Sequence, residues 1–160
     1  MIQRIQSLWL LLSAVCASIT YIVPTFAGTG ADGRVKIFSV RESILLMFLI
    51  SFVAASSFIN IFFFQNRKRQ KGIILATFLA TLVFILTQYL IVGQFKKDFL
   101  VSQGNWEISA ILPIFILLFQ VFACFGIRKD EKLLDSADRD RKSTRLNSSH
   151  EWISRMPSSA

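Results

Sequence analysis

Four long apolar stretches dominate the hydrophobic pattern of this chain, at residues 5–26, 43–64, 73–93 and 108–127. None of them holds an Asp, Glu, Lys, Arg or His. A bilayer core about 30 Å thick is crossed by roughly 20 helical residues, and every stretch reaches that length. The pattern predicts an all-α membrane protein, built as a bundle of four transmembrane helices.

Composition excludes the main alternative, a soluble helical bundle. The chain has 160 residues, of which 53% are hydrophobic and 16 are Phe. A soluble domain of this size cannot hide so much apolar surface. A surface helix also needs a polar stripe, and residues 48–64 show none, since their polar interruptions are only three serines and one asparagine.

Lys and Arg near the ends of the apolar stretches predict the orientation. The segment 65–72, between the second and third stretches, holds four cations and no acid, and more cations follow the fourth stretch. The two opposite loops, 27–42 and 94–107, mix cations with acids. By the positive-inside rule, we expect a multi-pass membrane protein with both termini in the cytoplasm and with its first apolar stretch retained as a helix.

The two opposite loops also predict a small extracytoplasmic β element. Residues 34–40 alternate polar and apolar positions, as a half-buried strand does. We expect residues 99–101 to pair with this strand, and Gly104 and Asn105 to form a turn before Trp106. Trp106 also suits the interfacial belt where the fourth helix begins.

Few side chains inside the apolar stretches carry chemistry. Asn60, Gln88 and Gln120 are the most polar of them, and each should face another helix rather than lipid. Cys16 and Cys124 lack the paired spacing of a disulfide or metal motif, so we interpret them as small packing residues. We expect no cofactor and no metal, because the sequence shows no motif for either. We expect no nucleic acid as partner, because the cations lie beside helix ends.

Polar residues at the predicted cytoplasmic side form the candidate site. We expect them to contact anionic lipid headgroups or to dock a partner, either a membrane protein or a second copy. Helical spacing allows Glu131 to pair with Arg128, or Asp135 with Lys132. Reversing the charges of residues 129–132 should break a complex and leave insertion intact. The candidate residues are Arg67, Lys68, Arg69, Lys71, Arg128, Lys129, Asp130, Glu131 and Lys132.

The last segment, residues 140–160, is unlike the rest. Residues 140–150 match a translation of a common short-read sequencing adapter, and the remainder continues in frame to that adapter's stop codon. We interpret this segment as a disordered, adapter-derived tail. Without it the chain loses His150 and falls from 18 cations and 10 acids to 14 and 8, a net charge of +6.

Three short segments carry a family resemblance: residues 1–8, residues 66–70, and above all residues 126–133 followed by 136–139. They resemble the family called domain of unknown function 4293, four-helix inner-membrane proteins of Bacteroidota. The resemblance covers residues 1–139. It implies location and architecture only, because the family has no activity to transfer to any residue here.

Three functional classes follow from these observations. A non-enzymatic interaction or scaffold protein fits best, because it requires membrane helices and short loops without catalytic groups. A small transporter or channel component is the alternative, although the apolar stretches hold no Asp, Glu, Lys, Arg or His, the residues that mark ion paths. An enzyme ranks third, since the acids outside the apolar stretches, such as Asp98, Glu107 and Asp130, form no recognisable catalytic arrangement.

Overall fold

The computed structural model describes residues 3–63, 66–101 and 103–154. The four helices are α1 (Gln3–Ile22), α2 (Ile44–Phe62), α3 (Arg67–Asp98) and α4 (Leu112–Ser154). The three strands are β1 (Phe26–Thr29), β2 (Val35–Phe38) and β3 (Gln103–Trp106). Two single 3-10 turns, Val40–Glu42 and Ile108–Ala110, lead into α2 and α4.

The helices form a four-membered ring. α1 packs against α4 and α2, while α3 packs against α2 and, less extensively, against α4. The three strands join one end of the bundle, which we call the sheet end. The other end carries residues 66–71 and 128–132, and we call it the basic end. This arrangement confirms the predicted four-helix bundle and its small β element.

Apolar side chains face outward over most of the bundle. Phe48 is 70% exposed and Leu86 is 66% exposed, whereas Ser13 and Thr81 are fully buried. A soluble protein shows the opposite distribution. All four helices are long and apolar enough to cross a membrane, so their outer faces suit lipid and the molecule is a multi-pass membrane protein.

Two helix ends differ from the predicted apolar stretches, one near a proline and one at a run of charged residues. α1 ends at Ile22 rather than near residue 26, because Pro24 has no N–H to donate to a helix. Ser109 Oγ donates to the freed Val23 carbonyl across 3.2 Å. α3 begins at Arg67, so the basic residues predicted as a loop form its first turn instead.

The sheet has the order β2-β1-β3 with antiparallel pairing throughout. Phe26 lies opposite both Phe38 and Trp106. Two predicted details are therefore wrong. Residues 99–101 do not pair with β2, and Gly104 and Asn105 lie in strand β3 rather than in a turn. Of this central strand, Phe26 was assigned to the first apolar stretch and residues 27–29 to the loop that follows, because Phe26–Thr29 shows no alternation that marks a strand.

α3 ends in a Schellman motif that turns the chain towards β3. The Leu100 N–H donates to the Lys97 carbonyl at 3.3 Å, and the Val101 N–H donates to the Lys96 carbonyl at 3.0 Å. Leu100 has φ +47°, the left-handed conformation that glycine usually takes. Val101 then packs against the apolar core, which compensates for this strain.

α4 continues without a break from the apolar stretch to Ser154. Residues 140–154 are thus helical, where the sequence suggested disorder. Extending an existing helix avoids the cost of nucleation, and the Arg, Lys, Leu and Glu residues of this segment have good helix propensity. Helicity does not bear on the segment's origin, and residues 155–160 lie outside the described residues.

Candidate functional site at the basic end

Lys71 and Glu131 join two helices at the basic end. The Lys71 Nζ donates to the Glu131 carboxylate, and both side chains are about one third exposed. Lys71 lies in the first turns of α3, while Glu131 lies on α4 beyond the apolar stretch. Their contact holds the basic start of α3 beside the basic segment of α4.

Asp130 and Gln6 form a second contact, between α4 and α1. The Gln6 Nε2 donates to Asp130 Oδ2, and both side chains are about 94% buried. Asp130 continues the buried face of α4, because it follows Ile127 by three residues on a helix. A Cβ added at Gly126 would lie 2.8 Å from Gln6 Cγ, so a glycine there leaves room for this contact.

A third contact closes α2 against α3. The Asn60 Nδ2 donates to the Gln70 backbone carbonyl at 3.4 Å, and both side chains are buried. Nearby on α3, Nη1 of Arg67 is buried without a hydrogen-bond partner. Polar contacts between neighbouring helices therefore hold the basic end together.

Five basic side chains at this end are exposed. They belong to two segments that the Lys71–Glu131 pair holds side by side. No carboxylate contacts them at salt-bridge distance in the described part of the chain. Together they form a positively charged surface, the outward cations: Lys68, Arg69, Arg128, Lys129 and Lys132.

The structure thus divides the nine residues predicted for docking or lipid contact. Asp130, Glu131 and Lys71 serve contacts within the bundle, and Arg67 is partly buried. The other five are the outward cations. The Glu131–Arg128 pair that helical spacing allows does not form, because Glu131 reaches across to Lys71 on another helix.

Polar residues also occupy the interior. Asn60, Gln88 and Gln120 are buried as predicted, and Gln120 Nε2 donates to Thr81 Oγ1 at 3.4 Å. Sequence reasoning missed Gln6, which is also buried. The missed signal is spacing, since several buried polar residues recur seven positions apart on one helix face: Gln6, Ser13 and Thr20, Gln70 and Thr77, and Thr81 and Gln88.

Neither a metal centre nor a thiol pair emerges from the part of the chain that the structure describes. No group of three or more His, Cys, Asp or Glu side chains lies close enough there to hold a metal ion. Cys16 and Cys124 are free thiols, half-buried against apolar neighbours. Their surroundings agree with a packing role.

Comparisons with known proteins identify the family of this chain but supply no activity. No curated protein and no solved structure matches the chain. One family model matches residues 2–139, which is most of the chain and includes all four apolar stretches and both ends of the bundle. The chain belongs to the family described as Domain of unknown function (DUF4293).

Proposed function

We propose that this protein is a non-enzymatic interaction protein of the bacterial inner membrane, with its basic end and both termini in the cytoplasm. The outward cations carry this proposal, because Lys and Arg concentrate on the cytoplasmic side of membrane helices. Their position beside the helix ends suits contact with anionic headgroups. No carboxylate among the described side chains pairs with them, which supports their availability to a partner.

The partner we propose is an acidic segment of another protein. Lys129 and Lys132 lie on α4 at the basic end, next to Leu133 and Leu134, which are 47% and 52% exposed. Cations beside exposed apolar side chains suit a partner that offers both carboxylates and an apolar contact. α4 presents these groups on a continuous helix, which reduces the ordering cost of binding.

Co-purification of the full chain tests this proposal. The wild-type protein, tagged at the C-terminus and expressed at native level, is solubilised in mild detergent and analysed by quantitative mass spectrometry. Reversal of all four residues 129–132 would also break the internal contacts of Asp130 and Glu131. The informative variant therefore reverses only Lys129→Glu and Lys132→Glu.

Arg34→Glu with Lys97→Glu is the matched control, because both side chains are exposed at the sheet end. We expect one membrane or cytoplasmic protein to be recovered in stoichiometric amount with wild type and control, and to be lost from the Lys129→Glu, Lys132→Glu variant. Recovery of the partner with all three proteins refutes docking through these cations. Recovery of the protein alone, as monomer or homo-oligomer, refutes the interaction with another protein.

A small transporter or channel component is the second candidate. The observation that favours it is a set of buried side-chain oxygens without hydrogen-bond donors, at Asn60, Gln88, Gln120 and Asp130. Such groups are costly in a membrane interior.

A further inference from the structure

Buried polar side chains run along the inside of the bundle from one end to the other. On α1 they are Gln6, Ser13 and Thr20, each seven residues from the next. Seven residues are close to two helical turns, about 10 Å of rise, so these side chains lie one above another. α3 repeats the pattern with Gln70 and Thr77, then with Thr81 and Gln88.

Contacts between neighbouring helices place these rows on a common interior. Each neighbouring pair in the ring is bridged by a polar contact: Gln6–Asp130 for α1 and α4, Ser13–Ser57 at 3.3 Å for α1 and α2, Asn60–Gln70 for α2 and α3, and Gln120–Thr81 for α4 and α3. Each of the four helices therefore contributes polar side chains to the interior, between buried apolar ones, while the outer faces of the helices are apolar.

The interior offers mostly hydrogen-bond acceptors. Thr20, Thr77 and Thr81 donate their hydroxyl protons to carbonyls of their own helices at 2.8, 2.9 and 2.7 Å. Their lone pairs remain for other groups. Ser13 and Ser57 share one contact, in which either hydroxyl is the donor.

Four more acceptors have no donor. These are Asn60 Oδ1, Gln88 Oε1, Gln120 Oε1 and Asp130 Oδ1, and the exposed fraction of their side chains is only 1%, 4%, 0% and 6%. Among the described side chains, a buried nitrogen also lacks a partner: Nη1 of Arg67, at the basic end. A species that supplies positive charge or donors would satisfy these oxygens, and an anion would not.

Asp130 adds formal negative charge at one end of this interior. It is the only acidic side chain among those described as buried. Inward-facing oxygens replace the hydration of an ion in selective pores, and a buried carboxylate in a membrane protein marks an ion or proton path.

We propose that the bundle interior carries a monovalent cation between Gln88 and Asp130, with Asp130 as the binding point at the basic end. The oxygens are spread along the axis rather than gathered around one point, which does not suit the six to eight ligands of a divalent ion such as Ca²⁺. H⁺, Na⁺ and K⁺ share the required chemistry. This inference extends the transporter candidate and does not depend on docking by the outward cations.

Two apolar layers close the path in this structure. Leu10, Ile74, Ala123 and Ile127 pack between Asp130 and the middle of the bundle, and a second cluster around Phe84 and Ile116 packs towards the sheet end. Apolar constrictions block ions by excluding water. Passage therefore requires these layers to separate, and a polar residue at Leu10 should make it easier.

Flux into vesicles tests the proposal. The full chain is reconstituted into vesicles of phosphatidylcholine and phosphatidylglycerol, and dyes inside report H⁺, Na⁺ or K⁺ in separate arms. Gln120→Leu removes an interior oxygen, Asp130→Asn removes the charge, and Leu10→Ser makes an apolar layer polar. Gln94→Leu and Asp98→Asn are matched controls, because both of these side chains are exposed outside the interior.

We expect wild type to pass one of the three cations above the rate of empty vesicles. Leu10→Ser should raise this rate, and Gln120→Leu and Asp130→Asn should lower it, each by roughly tenfold, because the oxygens and the apolar layer act on the ion itself. Both controls should match wild type. Circular dichroism and a single elution peak verify folding of each variant.

Two results would overturn the cation path. One is wild type and Leu10→Ser both indistinguishable from empty vesicles in all three arms. The other is a flux that Gln120→Leu and Gln94→Leu leave equally unchanged. Neither result touches the docking proposal, whose readout is the partner recovered with the outward cations intact.

Discussion

The two ends of the bundle are closed by different means. At the sheet end, the chain leaves the helices and satisfies its backbone groups by strand pairing, with Phe26 packed beneath Trp106 and beside Phe95. At the basic end, α4 continues past its apolar stretch and α3 begins, and side chains such as Lys71, Glu131 and Asp130 join neighbouring helices.

This difference indicates which interactions stabilise each end. Strand pairing and aromatic packing bury apolar surface, and the Lys96 ammonium lies 4.6 Å from the Phe26 ring centre and 5.2 Å from the Trp106 ring centre. Such contacts are worth more than partly exposed charge pairs. We therefore expect the sheet end to be the more rigid region and the basic end the more adaptable one.

Phe26→Ala should give the largest effect. Phe26 is fully buried, and its ring packs so closely over Gly104 that a Cβ there would lie 2.2 Å from Phe26 Cζ. Removing the ring leaves a cavity, and we expect a loss of about 3–5 kcal/mol in the free energy of unfolding. Equilibrium unfolding of the purified protein in mixed micelles with increasing SDS measures it.

Phe58→Ala is the control for this prediction, because Phe58 is 52% exposed on the outer face of α2. Its loss should be much smaller than that of Phe26→Ala, since no comparable cavity forms. Equal losses for the two variants would mean that the sheet end is no better packed than the lipid-facing surface.

Gly126→Ala should have an intermediate effect, at the basic end. The new methyl group would lie 2.8 Å from Gln6 Cγ, and moving Gln6 disturbs its hydrogen bond to Asp130. We expect a loss of about 1–2 kcal/mol, measured by the same unfolding assay. Gly93→Ala has nothing within 4 Å of its new methyl and should stabilise α3 by about 0.5–1 kcal/mol. A stabilising Gly126→Ala would contradict the described contact.

The Lys71–Glu131 pair should show the smallest effect. A double-mutant cycle with Lys71→Ala and Glu131→Ala should give a coupling energy of about 0.5 kcal/mol, because both side chains are about one third exposed. The coupling should fall in high salt. A parallel cycle on Arg128 and Glu131 should give none, since these side chains are not paired at salt-bridge distance.

Sequence patterns predicted the helices better than their ends. Hydropathy found all four helices, because a span needs only length and apolarity. It placed the end of α1 past Pro24 and read Phe26 as helical, since an apolar run contains no sign of where a strand replaces a helix. Residues 67–71 were predicted as a loop because most of them are charged. They form the start of a helix instead, since α3 runs from Arg67 to Asp98.

The sequence predicted which residues gather at the candidate site, but not which of them face the bundle and which face outward. All nine residues lie at the basic end or its border, and the sequence alone could not tell Asp130 from Lys129. Helical spacing from Ile127 would have put Asp130 on the buried face, had the phase of α4 been known. The partner of Glu131 lies 60 residues away, beyond any local rule of helical pairing.

The sequence by itself determined that this chain crosses a membrane in four helices, because transfer of apolar side chains into lipid depends on their identity and not on their neighbours. Only the tertiary structure decided which polar groups meet inside the bundle and which face outward. That choice depends on how the helices rotate against one another, and rotation is set by packing between segments far apart in the chain.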